Sequence, residues 1–353
     1  MSNSQPYVHQ LSPFIFEIKN LSMQWMETGW GGGTVIGVLL ALATLIFYLR
    51  TKPSYQPMPI WMHVLIALMG ISFLTMLGLY GAWKQEWEWG LRWYSTMYVL
   101  GFAYGYFMLF RGIKKQTVLL TQEGLDTLIA FIIFGMILGA RLAYVFIYNL
   151  GEYKDNLLDL FKVWEGGLSF HGGIVGVVTA LYLFARRQDI SFWHLADEVS
   201  VTVPVGIGLG RIGNFINGEL YGRVMEGTVY PWAVIFPDSA GPYPRHPSQI
   251  YQSLAEGWLL LVTLMVIYRM PHRKLGTISV AFIGFYAFYR YFMEFFREAD
   301  AQLRYYLGGT TTMGQILCGV TLLCALLLYF LVVKKQPSVS DPTWKSKLIT
   351  FHT

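Results

Sequence analysis

Four ionisable side chains stand where an apolar sequence has least use for them: Arg141, His171, Arg211 and Arg290. Each costs about 2.5–3.5 kcal/mol to insert in a membrane helix, so each is a functional candidate by default. Arg211 belongs to Gly210-Arg211-Ile212-Gly213-Asn214-Phe215-Ile216-Asn217-Gly218-Glu219-Leu220-Tyr221-Gly222-Arg223, a run with four glycines, two asparagines, one acid and two arginines. Arg211, Asn214 and Gly218 fall on one helical stripe. His171 sits among Gly166, Gly167, Gly172 and Gly173. Guanidinium forks bind phosphate bidentately. In a low dielectric they neutralise charge developing on a phosphate leaving group. An imidazole can take a proton near neutral pH. Gly166 and Gly172 leave room for a headgroup beside the backbone. The chemistry that suits this set is enzymatic attack on an anionic phospholipid, with hydrolysis, headgroup exchange and transfer of the lipid part all open. Blander readings stand beside it. Arg141 can snorkel to the interface, and Arg290 can pair with Glu294 at i, i+4. Helix packing accounts for Gly210 and Gly213, but not for Arg211 and Asn214 together.

The elements that must carry these residues follow from composition. Of 353 residues, 54% are hydrophobic and 13% charged, about half the roughly 25% usual in soluble domains. Mean hydropathy is +0.43. The chain reads as an all-α polytopic membrane protein. Since a crossing needs about 20 apolar residues, nine candidate spans emerge near 33–49, 60–82, 93–110, 125–148, 167–185, 195–216, 248–269, 275–296 and 312–333. Basic residues cluster in alternate loops (Arg50 and Lys52; Arg111, Lys114 and Lys115; Arg186 and Arg187; Arg269, Arg273 and Lys274) and in the tail. That bias sets the N-terminus outside and the C-terminus in the cytoplasm. The net charge of +5 therefore reports topology rather than nucleic-acid binding. It also brings Tyr94 and the four ionisable residues to one depth, that of the outer headgroups, whereas a solute transporter tends to bind at the midplane. The proline-rich stretch 221–246 reads as a small external head. Residues 1–32 form an external or interfacial segment without a cleavable signal, 83–333 the catalytic core and 334–353 a cytoplasmic tail. Cys318 and Cys324 share one apolar stretch and read as lipid-embedded free thiols.

Several stretches together carry a family likeness: Gly166-Gly167-Leu168-Ser169-Phe170-His171-Gly172-Gly173, the run 210–223, Arg245-His246-Pro247-Ser248-Gln249, Glu294-Phe295-Phe296-Arg297, and Gly139-Ala140-Arg141 through Tyr148-Asn149. In order and spacing, from about Trp93 to about 330, they resemble the prolipoprotein diacylglyceryl transferase family. The resemblance implies transfer of the sn-1,2-diacylglyceryl group from phosphatidylglycerol to the lipobox cysteine of a preprolipoprotein signal peptide. A thioether and glycerol phosphate result. It implies a bacterial inner membrane, no metal and no soluble cofactor; the oligomeric state stays open, with a monomer favoured. It assigns catalytic roles to Tyr94, His171, Arg211, Glu219 and Arg290. Substrate contacts fall to Asn214, Gly222 and Tyr286, with Gly166, Gly172 and Arg141 beside them. His246 supports the head. One departure stands out: residues 33–82 form an extra transmembrane hairpin ahead of a seven-helix family core.

Two rivals come from other classes. A transporter or flippase for anionic lipid would share the arginines without needing a proton acceptor at His171. An intramembrane serine protease would use Ser169, but His171, two residues on, would not face it on a helix.

Overall fold

The computed structural model describes residues 6–12, 14–19, 88–148, 167–227, 229–298 and 311–341. The expected hairpin 33–82 lies outside the described residues, as does the whole loop 149–166 with Gly166.

Helices dominate. They are α1 (Trp93–Lys114), α2 (Gln122–Ala143, extended by a π turn Tyr144–Tyr148), α3 (Phe170–Arg187), α4 (Phe192–Ser200) and α5 (Val203–Asn217). After them come α6 (Ser248–Tyr268, with Ser253–Leu259 in π form), α7 (Thr277–Met293) and α8 (Met313–Leu331). Among the described residues, four helical stretches are long and apolar enough to cross a membrane: Gln122–Ile147, Phe192–Asn217, Ser248–Tyr268 and Met313–Lys335. The chain is thus a multi-pass membrane protein. The other described spans are helices too: in α1 and α3 tyrosines, glycines and basic residues dilute the apolar run, and α7 is short, at 17 residues. The expected span 195–216 is broken at Val201–Thr202, and Pro204 starts α5 in the first turn, where its missing N–H costs nothing.

The all-α expectation needs correcting, because the described residues include two small sheets. β4 (Val234–Phe236) pairs antiparallel with β5 (Gly241–Arg245), and β1 (Tyr7–Val8) lies parallel on β4. The stretch expected to form a head therefore folds around a sheet completed by the start of the chain. β2 (Phe14–Lys19) pairs antiparallel with β3 (Glu88–Arg92). None is longer than six residues, too short for alternation to register in the sequence.

The chain divides into two compact units. The first holds residues 1–13, 96–119 and 185–353. In it Val201, Leu260, Leu264 and Ile278 form a core onto which Phe282 and Tyr286 pack. Val280, Ala325 and Val333 join α7 to α8, with Cys318 also buried. Asp197 on α4 caps α7 from outside that helix. Its carboxylate accepts from Gly276 N (2.9 Å), Ser279 N (2.8 Å) and Ser279 Oγ (2.7 Å). These are first-turn donors that α7 cannot satisfy itself. Next to it Glu198 accepts from Tyr268 Oη at 2.9 Å, fastening the end of α6. His194 Nε2 accepts from Leu119 N at 3.3 Å, a structural task.

The second unit holds residues 14–95 and 120–184. Its described helices α2 and α3 cross with their backbones in contact. A side chain at Gly176 would strike Gly135, and one at Gly172 would strike Ala143 and Gly139. Small residues spaced four apart on each helix allow this approach.

Asp197→Ala strands three buried donors, so we expect the unfolding free energy in detergent to fall by about 3 kcal/mol. Asp197→Asn, which keeps an accepting oxygen, should lose less. Equal stability of all three proteins in a denaturant titration would remove the capping role.

Candidate active site

In the first unit, three helices meet on one carboxylate. α5 presents Arg211 from its C-terminal half, α7 presents Arg290 near its end, and Glu256 stands in the π segment of α6. Ser253 Oγ, one turn earlier, donates to Gly208 O at 2.9 Å and locks α6 against α5. Glu256 is fully buried. Arg211 Nη2 lies 3.1 Å from its Oε2, and Arg290 Nε 3.8 Å from its Oε1. Arg290 Nη2 also reaches Glu294 Oε2 at 2.6 Å. The pairing expected between Arg290 and Glu294 is therefore present, as one half of a larger network. Glu294 is itself held: Oε1 accepts from Thr312 Oγ1 at 3.3 Å and lies 3.7 Å from Arg297 Nη1. Thr312 is the N-cap of α8, in a capping box with Gln315. Tyr286, one turn before Arg290, lies within electrostatic reach of Glu256, Arg211 and Arg290.

This network keeps polar capacity in reserve. Arg290 Nη1 and Glu256 Oε1 are buried without a hydrogen-bond partner. So are both amide atoms of Gln252, a residue with no exposed surface one turn before Glu256. A buried unmet polar group costs about 1–3 kcal/mol. Four such atoms, on three side chains around paired guanidiniums, suit an anionic, hydroxyl-bearing ligand.

The rest of the 210–223 run is built into a junction. α5 ends at Gly218 in the left-handed conformation (φ 69°), not on a continuing stripe. Asn214 is buried there, and its carbonyl accepts from Glu219 N at 2.9 Å. Glu219 is exposed, and its Oε1 accepts from Asn217 Nδ2 at 2.9 Å. The carboxylate that orients the arginines is therefore Glu256. Gly222 N donates to His246 O at 3.1 Å, and Arg223 N to Phe296 O at 3.0 Å. A side chain at Gly222 would strike His246 O, so this glycine serves the junction. Gln249 Nε2 donates to Glu219 O (2.7 Å) and Ser248 Oγ to Leu220 O (3.1 Å). Arg245 Nη1 reaches Gly222 O (3.0 Å) and Glu298 Oε2 (2.8 Å), while Arg223 Nε donates to Arg297 O (3.0 Å). Three motifs distant in sequence thus form one node. His9 closes it from the N-terminal segment, with Nε2 2.7 Å from Phe215 O and its ring against Phe215 and Phe236.

In the second unit, Arg141 is buried and donates from Nη1 to Gly167 O at 3.2 Å. It ties α2 to the start of α3 rather than snorkelling. Ser169 is the residue before α3; its N donates to Ala140 O (2.9 Å) and its Oγ accepts from Gly172 N (3.3 Å). That capping position offers nothing to a serine nucleophile. Gly172 gives its space to the crossing with α2, so the room expected for a headgroup is filled by a helix. His171 is exposed, its ring edge-on to Phe170. With Ser169 and Thr179 it supplies polar groups to a groove of about 540 Å³ whose remaining lining is apolar side chains and glycines. Tyr94 is half-buried in the first turn of α1.

Glu256, Gln252, Arg223 and Arg245 were missed from the sequence as site residues. Glu256 could have been found by the rule that picked out the arginines, since it too is ionisable within an apolar span.

Comparison with known proteins adds an independent finding. The profile of the family described as Prolipoprotein diacylglyceryl transferase matches residues 81–331. A protein of Geobacter sulfurreducens is 46% identical over 245 residues, which are 69% of this chain and 92% of that protein. One of Photobacterium profundum is 40% identical over 272 residues, 77% of this chain and all of that protein. One of Pseudomonas aeruginosa strain LESB58 is 44% identical over 238 residues, 67% of this chain and 88% of that protein. All three bear the name phosphatidylglycerol–prolipoprotein diacylglyceryl transferase.

The junction carries a pH signature. Burial pushes the His246 imidazole below its ordinary range, so protons bind the unfolded chain more readily than the folded one. Its contribution to stability is complete above about pH 6.5 and is lost as pH falls below that value. The thermal midpoint should drop over that interval, and His246→Phe, which keeps the ring against Tyr251 and Phe296, should flatten the drop. An unchanged slope in the variant would assign it to other groups.

Proposed function

The chain belongs to the prolipoprotein diacylglyceryl transferase family, and from that premise we propose that it transfers the sn-1,2-diacylglyceryl group of phosphatidylglycerol to the lipobox cysteine of a preprolipoprotein signal peptide. It is a transferase. The thiol gives up its proton and its sulfur attacks the glycerol carbon that bears the phosphate ester. A C–S bond forms, the C–O bond breaks, and glycerol phosphate leaves with the electron pair as an anion. A free thiol titrates near pH 8.5, so deprotonation at neutral pH needs an acceptor.

One observation carries this reading: Arg211 and Arg290 are gathered on a single buried carboxylate, with Arg290 Nη1 still unused. Two forks fixed in advance can hold a phosphodiester and stabilise the charge it gains on leaving. In this reading Glu256 positions both guanidiniums. Asn214 and Tyr286 line the headgroup site, Gly222 acts on it only through the junction it closes, and Glu219 takes a glycerol hydroxyl. Family likeness gives Tyr94 and Arg141 as further substrate contacts and His171 as the acceptor of the thiol proton. The protein lies in a bacterial inner membrane with its N-terminus outside and the 221–246 segment as an external head. Residues 33–82 add a peripheral hairpin, a reading favoured by a family match that begins only at residue 81.

The direct experiment incubates the purified chain with phosphatidylglycerol and a lipobox peptide and looks for the thioether product by mass. No product, together with lipid movement across vesicles, would favour a transporter. Arg211→Ala and Arg290→Ala should each lower the rate by about 10²–10³-fold, and lysine at either position should rescue poorly because it lacks the fork. A near-full rate in His171→Gln would remove the base assignment.

Deleting residues 30–82 should leave transfer intact, since an even number of crossings preserves the topology downstream. Complete loss in a folded deletion protein would refute a peripheral role.

A further inference from the structure

The opposite end of α7 carries a second concentration of unused polar groups. Thr277 opens the helix about 20 Å along its axis from Arg290, thirteen residues at about 1.5 Å each. Beside it lies a cavity of about 460 Å³ whose polar lining is His272, Arg273, Lys274, Thr277, Tyr329 and Lys334. No acid lines it. Arg273 is within electrostatic reach of Asp197 and Glu198, whose carboxylates are occupied by Gly276, Ser279 and Tyr268, and Asp341 follows Ser340 in the segment beside His272.

The walls are fixed without help from a ligand. The segment after α8 pairs with the α6–α7 connection: Leu275 N donates to Pro337 O (3.1 Å) and Val339 N to Arg273 O (2.9 Å). Lys274 and Ser338 form a β-bridge, and Ser340 Oγ lies 3.4 Å from His272 Nδ1. Arg273 is anchored by Nη1 on Tyr268 O (2.9 Å) and by its guanidinium over the Tyr268 ring (4.2 Å). Two donors in this rigid frame are nevertheless buried and unpartnered, Arg273 Nε and Thr277 Oγ1.

Basic residues that merely mark the cytoplasmic side of a membrane protein would sit in water, with their donors hydrated. Here the cations ring a cavity, and two buried donors wait for an acceptor. A phosphate group supplies what is missing: negative charge for Lys274, Lys334 and Arg273, and several acceptor oxygens for Arg273 Nε and Thr277 Oγ1. Exposed apolar side chains continue from the cavity along both neighbouring helices, Val262 and Val266 on α6, Leu327 and Phe330 on α8. Basic pockets at the ends of membrane helices bind anionic headgroups in this manner. We propose that this cavity is a second anion site, binding a phosphate group carried by an anionic lipid or free in solution, and separate from the site formed by Arg211, Glu256 and Arg290.

The test uses the purified full chain in neutral detergent, with the thermal unfolding midpoint read during titration. Three ligands are compared: inorganic phosphate, short-chain phosphatidic acid and short-chain phosphatidylcholine. We expect phosphatidic acid to raise the midpoint and phosphatidylcholine to leave it unmoved. A parallel rise with inorganic phosphate identifies the free anion as a ligand; a rise with phosphatidic acid alone identifies the lipid. The double variant Lys274→Gln/Lys334→Gln should weaken the response about tenfold, and Lys274→Arg/Lys334→Arg should keep it. Both should form thioether product at the parent rate. A Gln variant that titrates like the parent overturns the site, as does a phosphatidylcholine response equal to that of phosphatidic acid. The titration reads independently of transfer, so failure of the transferase reading would show in the product assay alone.

Discussion

Burying a carboxylate is costly unless opposite charge and hydrogen bonds repay the lost water, and Glu256 sets the terms for the whole first unit. Its compensation comes from two helices that are distant in the chain, through Arg211 on α5 and Arg290 on α7. Neither guanidinium can drift without leaving a dry negative charge behind. The same pairing fixes the spacing of two phosphate-binding forks before any lipid arrives. Preorganisation of this kind spares the reorganisation that would otherwise accompany charge transfer to a leaving group.

Much of the surrounding structure serves that fixed spacing. Thr312 at the head of α8 holds Glu294, which holds Arg290. Asp197 caps the other end of α7. Arg223 and Arg245 spend their donors largely on main-chain carbonyls, binding the loop after α5 to the segments around His246 and Phe296. These two arginines look alike to Arg211 in the sequence but do different work: they hold loops, whereas Arg211 is held on an acid.

The sequence made the arginines conspicuous because charge in an apolar span has no bland explanation. Family likeness then grouped motifs that spacing alone could not bring together. What stayed hidden depends on long-range contact. Glu256 is 45 residues from Arg211, and nothing local in the sequence says that α5 and α6 present them to each other. The glycines around His171 misled for the opposite reason. Gly172 lacks a side chain because Gly139 of α2 lies against it, a packing need that the matched pairs Gly135–Gly139 and Gly172–Gly176 did encode. The strands escaped because two to six residues carry too little alternation to read, and β5 also holds Pro242 and Pro244.

The contact between His9 and Phe215 spans 206 positions, and Tyr7 must reach Ala233 and Val234. During biosynthesis these partners leave the ribosome long after the residues that await them. The opening segment must therefore stay uncommitted while several helices are threaded into the bilayer. Assembly of the node around Gly222 is accordingly a late event in the maturation of the polypeptide, and the start of the chain acts as its final stitch.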